Sequence, residues 1–230
     1  MKAKLLCAVA GLFLCMQPIS AQLKLGVEAG VNMSHYLCKN GIYAPDQVGG
    51  MKAGFQMGVT ADYLLDDHWM LMSGLQFLQN RSAMKLADHS VFYFPNTEIK
   101  MNNLVLPLKV GYDIRLSDNF RLIPSIGAYV SYGFSAGSCS LDIIHQEGND
   151  MNTESVTWKP MNGFFYQAGE HNYGELQSFS HWDYGAVVGI KTVVTDHYTI
   201  GFNYTVGIKK VQKQNGLRNS TFQFSVGYRF

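Results

Sequence analysis

Two side chains on one stretch of the chain could form a catalytic unit. His181 and Asp183 are two positions apart, so on an extended strand they share a face. A histidine oriented by a carboxylate suits general-base attack on a lipid or peptide bond. Ser34 and His35 add a hydroxyl and an imidazole on another segment. No G-x-S-x-G nucleophile turn accompanies them. Solvated rim histidines are therefore the plainer reading, and the protein is expected not to be an enzyme. The sequence contains no C-x-x-C, no H-x-x-x-H and no acidic calcium loop, so neither a cofactor nor a metal is expected.

The elements that position these residues are strands. Apolar side chains occupy the odd positions from Leu23 to Met33, from Met51 to Leu65 and from Trp69 to Phe77. They occupy the even positions in 104–114, 120–134, 182–194, 198–208 and 222–230. Period-two alternation marks a strand with one apolar and one polar face. The spacing predicts an all-β fold: an eight-stranded antiparallel up-and-down transmembrane β-barrel, residues 22–230, in which the last strand closes on the first. Pro107 and Pro124 fall inside predicted strands, where each is expected to cause a bulge or remove a ladder bond.

The connections sort by length. Asp66-Asp67-His68, Ser117-Asp118-Asn119 and Asp196-His197 are short polar turns, whereas 35–50, 80–101, 136–180 and 209–220 are long. Short periplasmic turns alternating with long extracellular loops are characteristic of outer-membrane barrels. Both chain ends then fall in the periplasm. Tyr63, Trp69, Tyr112, Phe120, Tyr198, Tyr228 and Phe230 gather at the short-turn level, as an interfacial aromatic girdle would.

The ends of the chain agree with export. Lys2 and Lys4 precede an apolar run from Leu5 to Met16 and then Pro18-Ile19-Ser20-Ala21, the layout of a signal peptide cleaved after Ala21. The closing strand runs to Tyr228 and Phe230, the terminal-aromatic form in which barrels reach the barrel-assembly machinery. Loss of Lys2 and Lys4 leaves 16 basic against 17 acidic residues. With no polybasic patch, nucleic acid is excluded as a partner. Charged residues make up only 15% of the chain and glycines number 23, which suits tightly packed strands better than helices. An exported protein permits a disulfide between Cys38 and Cys139, both in predicted loops; two unpaired thiols remain the alternative.

Alternation does not say which face points outward. A soluble, exported, lipocalin-like ligand-binding barrel has the same periodicity. The girdle, the terminal Phe230 and the confinement of charge to one face favour the membrane form. In it, Lys24, Glu28, Lys52, Asp62, Lys109, Asp113, Arg121, Asp183, Lys191 and Arg229 point into the lumen. An eight-stranded lumen is narrow enough for side chains to fill. These charges are expected to pair as a polar plug rather than line a diffusion pore.

The stretches Leu104-Val105-Leu106-Pro107-Leu108-Lys109-Val110-Gly111-Tyr112 and Ile126-Gly127-Ala128-Tyr129-Val130-Ser131-Tyr132 resemble the PorT-like outer-membrane β-barrel family. Its pattern reads approximately Y-L-E-I-P-L-L-x-K-Y followed by a G-x-Y strand. Asn103 and Val105 stand where that pattern favours tyrosine and glutamate. The resemblance implies an eight-stranded barrel in the outer membrane of a Gram-negative bacterium, and the family's namesake is associated with type IX protein secretion. A structural, adhesive or secretion-accessory role is expected, with outer-membrane lipid and a secretion-system or extracellular protein as partners. Specificity is assigned to the long loops. The loop 136–180 carries Trp158, Phe164, Phe165, Tyr166, Tyr173 and Phe179, more aromatics than a disordered segment holds. A rim-site lipid-modifying or proteolytic enzyme is the alternative.

Overall fold

The computed structural model describes residues 22–37, 48–84, 92–93, 97–136, 139–147, 150–161, 165–167, 180–211 and 216–230. Residues 1–21, read as the signal peptide, and Cys38 lie outside them. Cys139 is placed only as the first residue of a strand, so the Cys38–Cys139 pairing also lies outside the described residues.

Eight strands form the wall: β1 Leu23–Leu37, β2 Val48–Leu64, β3 Trp69–Met84, β4 Thr97–Tyr112, β5 Phe120–Ala136, β6 Trp182–Val194, β7 Tyr198–Gly207 and β8 Arg218–Arg229. Each pairs antiparallel with its chain neighbour. β8 pairs with β1 from Gly26↔Arg229 to Leu37↔Arg218, so the ring has no free edge. Directly opposed residues can be followed from Leu25 through Ala61, Ser73, Leu108, Ala128, Ala186, Val206 and Ser220. The circuit re-enters β1 at His35, ten residues above its start. That stagger tilts the strands by about 40° to the barrel axis.

The loop-end strands outrun the alternation. β1 continues to Leu37, β3 to Met84 and β5 to Ala136, while β4 already begins at Thr97. Beyond the ring, Cys139–Glu147 and Asp150–Met161 form a hairpin inside the third long connection. Phe165–Gln167 adds to one side of it, and Phe92–Tyr93 pairs with the other.

Side-chain direction decides between the two barrel types. Among the described residues most large apolar side chains of the wall face outward: Ile126 is 65% exposed and Val31, Val59, Leu108 and Val226 are each more than half exposed. Asp62, Asp113, Asp183, Lys109, Lys191 and Arg229 are buried inside. A soluble barrel would require the opposite, since water stabilises charge and expels apolar surface. The lipocalin-like alternative is thereby overturned.

Both prolines interrupt pairing without shifting it. The β3–β4 ladder runs Ser73↔Leu108 and then Gln76↔Val105, lapsing opposite Pro107 with its register kept. Next to Pro124, the β4–β5 ladder stops at Gly111↔Ser125. It resumes at Ile114↔Leu122 in the short continuation Ile114–Ser117. Between them, the Asp113 amide turns to the His68 carbonyl, 2.7 Å away. A missing ladder bond, not a bulge, is the outcome at each site. Register shifts do occur in β2 against β3, between Val48 and Gly50 and between Lys52 and Gln56. There Lys52 ends up exposed, which removes it from the expected inward row.

The short turns hold the other end. Asp66 Oδ1 accepts hydrogen bonds from the amides of His68 (2.8 Å) and Trp69 (2.6 Å). The Trp69 and then the His68 amide hold this carboxyl below its ordinary value of 3.8. Because the folded value is the lower one, the stabilisation is complete above 3.8 and is lost as pH falls through the depressed value. Thr195 and Asp196 have φ of 49° and 63°, the mirror-image turn whose twist matches a hairpin.

The outward face yields a direct test. Ile126→Lys places a charge midway along β5 on the lipid side, and is expected to destabilise the barrel by about 2–4 kcal/mol. Urea unfolding from lipid vesicles measures this, and an unchanged midpoint would contradict a lipid-facing Ile126.

Candidate functional site

The lumen is layered, and the layers can be read along β3 to β6. From the turn end, inward positions carry Met70, Met72, Gln76, Leu78 and Asn80 on β3, and Lys109, Val105 and Asn103 on β4. β5 contributes Arg121, Ile123, Tyr129 and Ser131, and β6 contributes Val193, Lys191, Val187 and Asp183.

At the turn end, Arg121 Nη1 lies 3.2 Å from Asp113 Oδ2, and Arg121 Nη2 pairs with Asp196 Oδ1. Arg229 Nη2 lies 3.6 Å from the same Asp196 oxygen, and its Nε donates to the Asp196 carbonyl at 3.0 Å. Above these sits a packed cluster of Met70, Met72, Ile123 and Val193. It needs Gly111: a Cβ there would lie 2.8 Å from Met72 Sδ and 2.9 Å from Ile123 Cγ2.

The central layer is charged. Lys191 Nζ donates to both Asp62 oxygens at 2.9 and 2.8 Å. Lys109 Nζ donates to Asn203 Oδ1 at 2.8 Å. Glu28 accepts from Gln76 Nε2 at 2.5 Å and from Ser225 Oγ at 3.3 Å. Glu28, Asp62, Lys109 and Lys191 line one internal cavity, two charges of each sign. A second apolar cluster, Leu78, Val105, Tyr129 and Val187, lies above. At the loop end Tyr36 Oη donates to Met101 Sδ at 3.0 Å, across the lumen from β1 to β4. Leu217 and Val211 are buried nearby and joined by a 2.8 Å backbone bond. Layers of charge, ion-paired at Asp62–Lys191 and met by neutral side chains at Lys109 and Glu28, alternate with apolar clusters and make a side-chain plug.

The weak catalytic candidates are placed as follows. Asp183 is buried, and its Oδ2 accepts from Tyr129 Oη (2.9 Å) and Asn219 Nδ2 (2.8 Å). His181 Nδ1 lies 2.8 Å from the Gly133 carbonyl, which can only accept, so Nδ1 carries a hydrogen. Ser34 Oγ sits inside, 3.0 Å from Asn32 Oδ1 and 3.1 Å from Asn80 Oδ1. The next residue, His35, lies on the opposite face of its strand. Among the described residues, no three metal-ligating side chains gather.

The rims carry a feature that alternation alone does not reveal. Trp69, Trp182 and Tyr198 each open a strand, each follows a histidine, and each is directly paired with a tyrosine: Tyr112, Tyr132 and Tyr228. In each trio the histidine ring stacks on the tyrosine, at 5.5 Å and 16°, 5.5 Å and 16°, and 5.4 Å and 8°. The strand-opening aromatic meets the same tyrosine edge-on, at 5.0, 4.9 and 5.7 Å. The histidine carbonyl then accepts the amide of the residue after the tyrosine, at 2.7 Å in all three. Two of these clasps stand at the turn end and one, with Trp182, at the loop end. The signal available in sequence was the repeated His-aromatic dipeptide, and the loop-end girdle it marks was missed.

The central ion pair gives a stability test. Asp62→Asn leaves Lys191 buried without its counter-charge and is expected to cost on the order of 3–5 kcal/mol. Combining it with Lys191→Met should recover much of that loss. Urea titration in vesicles of the two single variants and the double variant measures the coupling, and simple additivity would mean that the two side chains do not interact.

Several solved structures are similar in fold. Neisserial surface protein A (NspA) is 16% identical, with 90% of this chain and 97% of that one covered at a TM-score of 0.45. Ail, the attachment invasion locus protein of Yersinia pestis, is 11% identical, covering 91% and 99% at 0.40. The outer membrane protein OprG from Pseudomonas aeruginosa is 12% identical, covering 90% and 95% at 0.41. No curated protein matches the chain. Residues 6–230 match the family described as the outer membrane protein beta-barrel domain. With that match over nearly the whole chain, and with a closed eight-stranded ring that is apolar outside and charged within, the chain belongs to the outer membrane protein beta-barrel domain family.

Proposed function

We propose that this is a non-enzymatic outer-membrane barrel of the PorT-like kind, with a structural, adhesive or secretion-accessory role and its specificity in the long loops. In this reading residues 1–21 are a signal peptide removed after Ala21. Both ends of the barrel and the short turns face the periplasm, and the long loops face outward. The barrel-assembly machinery reads the closing strand through Tyr228 and Phe230.

The plugged lumen is the observation that carries the non-conducting, non-catalytic reading. Its charges are matched at Asp62–Lys191 and at Asp113–Arg121–Asp196, and apolar clusters lie between the charged layers. What remains for recognition is the loop end. The Cys139–Glu147 and Asp150–Met161 hairpin lengthens the wall there, which supports a contact surface raised above the membrane. The engagement of Asp183 by Tyr129 and Asn219, and of His181 by Gly133, weighs against a rim hydrolase.

Two measurements test the proposal. An epitope tag inserted between Gly148 and Asn149 is expected to be reached by antibody on intact cells, while one between Asp118 and Asn119 is reached only after the outer membrane is opened. The reverse pattern would overturn the orientation. His181→Ala is expected to leave lipid and peptide turnover by the purified barrel unchanged, and a turnover abolished by that change would restore the enzymatic alternative.

A further inference from the structure

The three clasps share one geometry but not one electrostatic setting. At the turn end His68 follows Asp66 and Asp67, and His197 follows Asp196. The nearby Arg121 and Arg229 are engaged with Asp113 and Asp196, and the exposed Arg115 donates to the Asp67 carbonyl at 3.3 Å, so each turn-end arginine stands among aspartates. At the loop end the setting reverses. Ser180, immediately before His181, has its hydroxyl 2.8 Å from Lys209 Nζ, and the Lys209 amide bonds to the Tyr184 carbonyl. Lys210 is exposed beside it. From Ile208 to Ser220 the chain holds Lys209, Lys210, Lys213 and Arg218 and no acidic residue. The one nearby acid on β6, Asp183, points into the barrel and is buried.

Directly below this basic rim the outer face is aromatic: Trp182 is 54% exposed and Tyr184 50%. A lipid lying against this wall would set its chains on the aromatic face and its phosphate at the level of the lysines. We propose that the loop-end clasp, with Lys209 and Lys210, is a binding site for the phosphate of an anionic membrane lipid in the leaflet at that end. The aromatic rings hold the acyl and glycerol part, and the ammonium groups neutralise the phosphate. The turn-end clasps use the same rings beside aspartates and take no anionic lipid. The charge reversal between otherwise matching trios is the reason for assigning binding to one end.

The full-length barrel, purified in neutral detergent, can be examined by native mass spectrometry with phosphatidylglycerol or phosphatidylcholine of the same acyl chains. The wild-type protein is expected to retain phosphatidylglycerol in preference to phosphatidylcholine. Lys209→Glu with Lys210→Glu should lower that retention by roughly 25-fold, taking about fivefold for each lysine near a headgroup. Trp182→Ala should also weaken it, whereas His68→Ala should not. Equal retention of the two lipids by wild type, or undiminished phosphatidylglycerol in the lysine variant, would overturn the site. If the double variant does not run as a folded, heat-modifiable band on a gel, Lys209→Gln with Lys210→Gln replaces it, and undiminished phosphatidylglycerol in that variant would likewise overturn the site. Raising salt from about 0.05 to about 0.5 M should strip the phosphatidylglycerol if charge holds it, and salt-insensitive retention would count against the proposal.

Discussion

The rest of the structure depends on one constraint: a backbone in hydrocarbon must find all its hydrogen bonds within the protein. A sheet meets it only by closing, because any free edge leaves a row of unpaired amides and carbonyls. The β1–β8 ladder from Gly26↔Arg229 to Leu37↔Arg218 is therefore not one contact among many. It sets the strand number and the ten-residue stagger, and with them the tilt and the width of the lumen. Pro107 and Pro124 are tolerated because each lies where pairing lapses on one side only, while the other side keeps its ladder.

Closure then dictates where charge can go. Lipid surrounds the wall, so the polar half of every alternating strand must point inward, into a space with little room for water. Inside, an unmatched charge is far more costly than a matched one. Lys191 against both oxygens of Asp62 is one answer. The Asp113–Arg121–Asp196–Arg229 chain at the turn end is another. Glu28 is met by neutral donors instead, Gln76 and Ser225. The narrow lumen thus produces the plug: the arrangement that makes the barrel stable also keeps it from acting as a wide pore.

The phase of each strand was legible in sequence because lipid and lumen impose opposite demands on successive residues. Positions such as Val27, Val59, Ile126 and Val226 face outward as their parity predicts. Strand ends were less legible. Above the apolar band the outer face meets water or headgroups, so alternation fades at Leu37 and Met84 while backbone pairing goes on. Lys52 shows the other weakness, since one extra residue in β2 before Gln56 shifts the register and no composition signal marks it. Within the candidate site, the inward charges were readable but their partners were not. Pairing Lys109 with Asn203, or Asp183 with Tyr129 and Asn219, depends on which strands stand across the lumen, and that follows from the stagger rather than from local sequence.

The clasps join these constraints at the membrane surface. A strand entering lipid is weakest at its first residue, where the ladder begins and a frayed amide would meet the bilayer edge. In each clasp the histidine carbonyl carries the ladder one bond past the strand's opening aromatic. Its ring covers the partner tyrosine, which keeps the hydroxyl-bearing ring at the interface. The positions are consistent with that role. Trp182 and Val194, the latter paired with Tyr198, stand at opposite ends of β6. Twelve steps of about 3.3 Å at roughly 40° of tilt span about 30 Å of height, close to the thickness of a hydrocarbon core. The same local unit therefore seals strand ends and marks both faces of the membrane. What distinguishes the clasps at the two ends is the residue beside each histidine, Asp67 and Asp196 at the turns and Ser180 with Lys209 at the loop end. That difference tells apart the two ends of a barrel with similar aromatic rims.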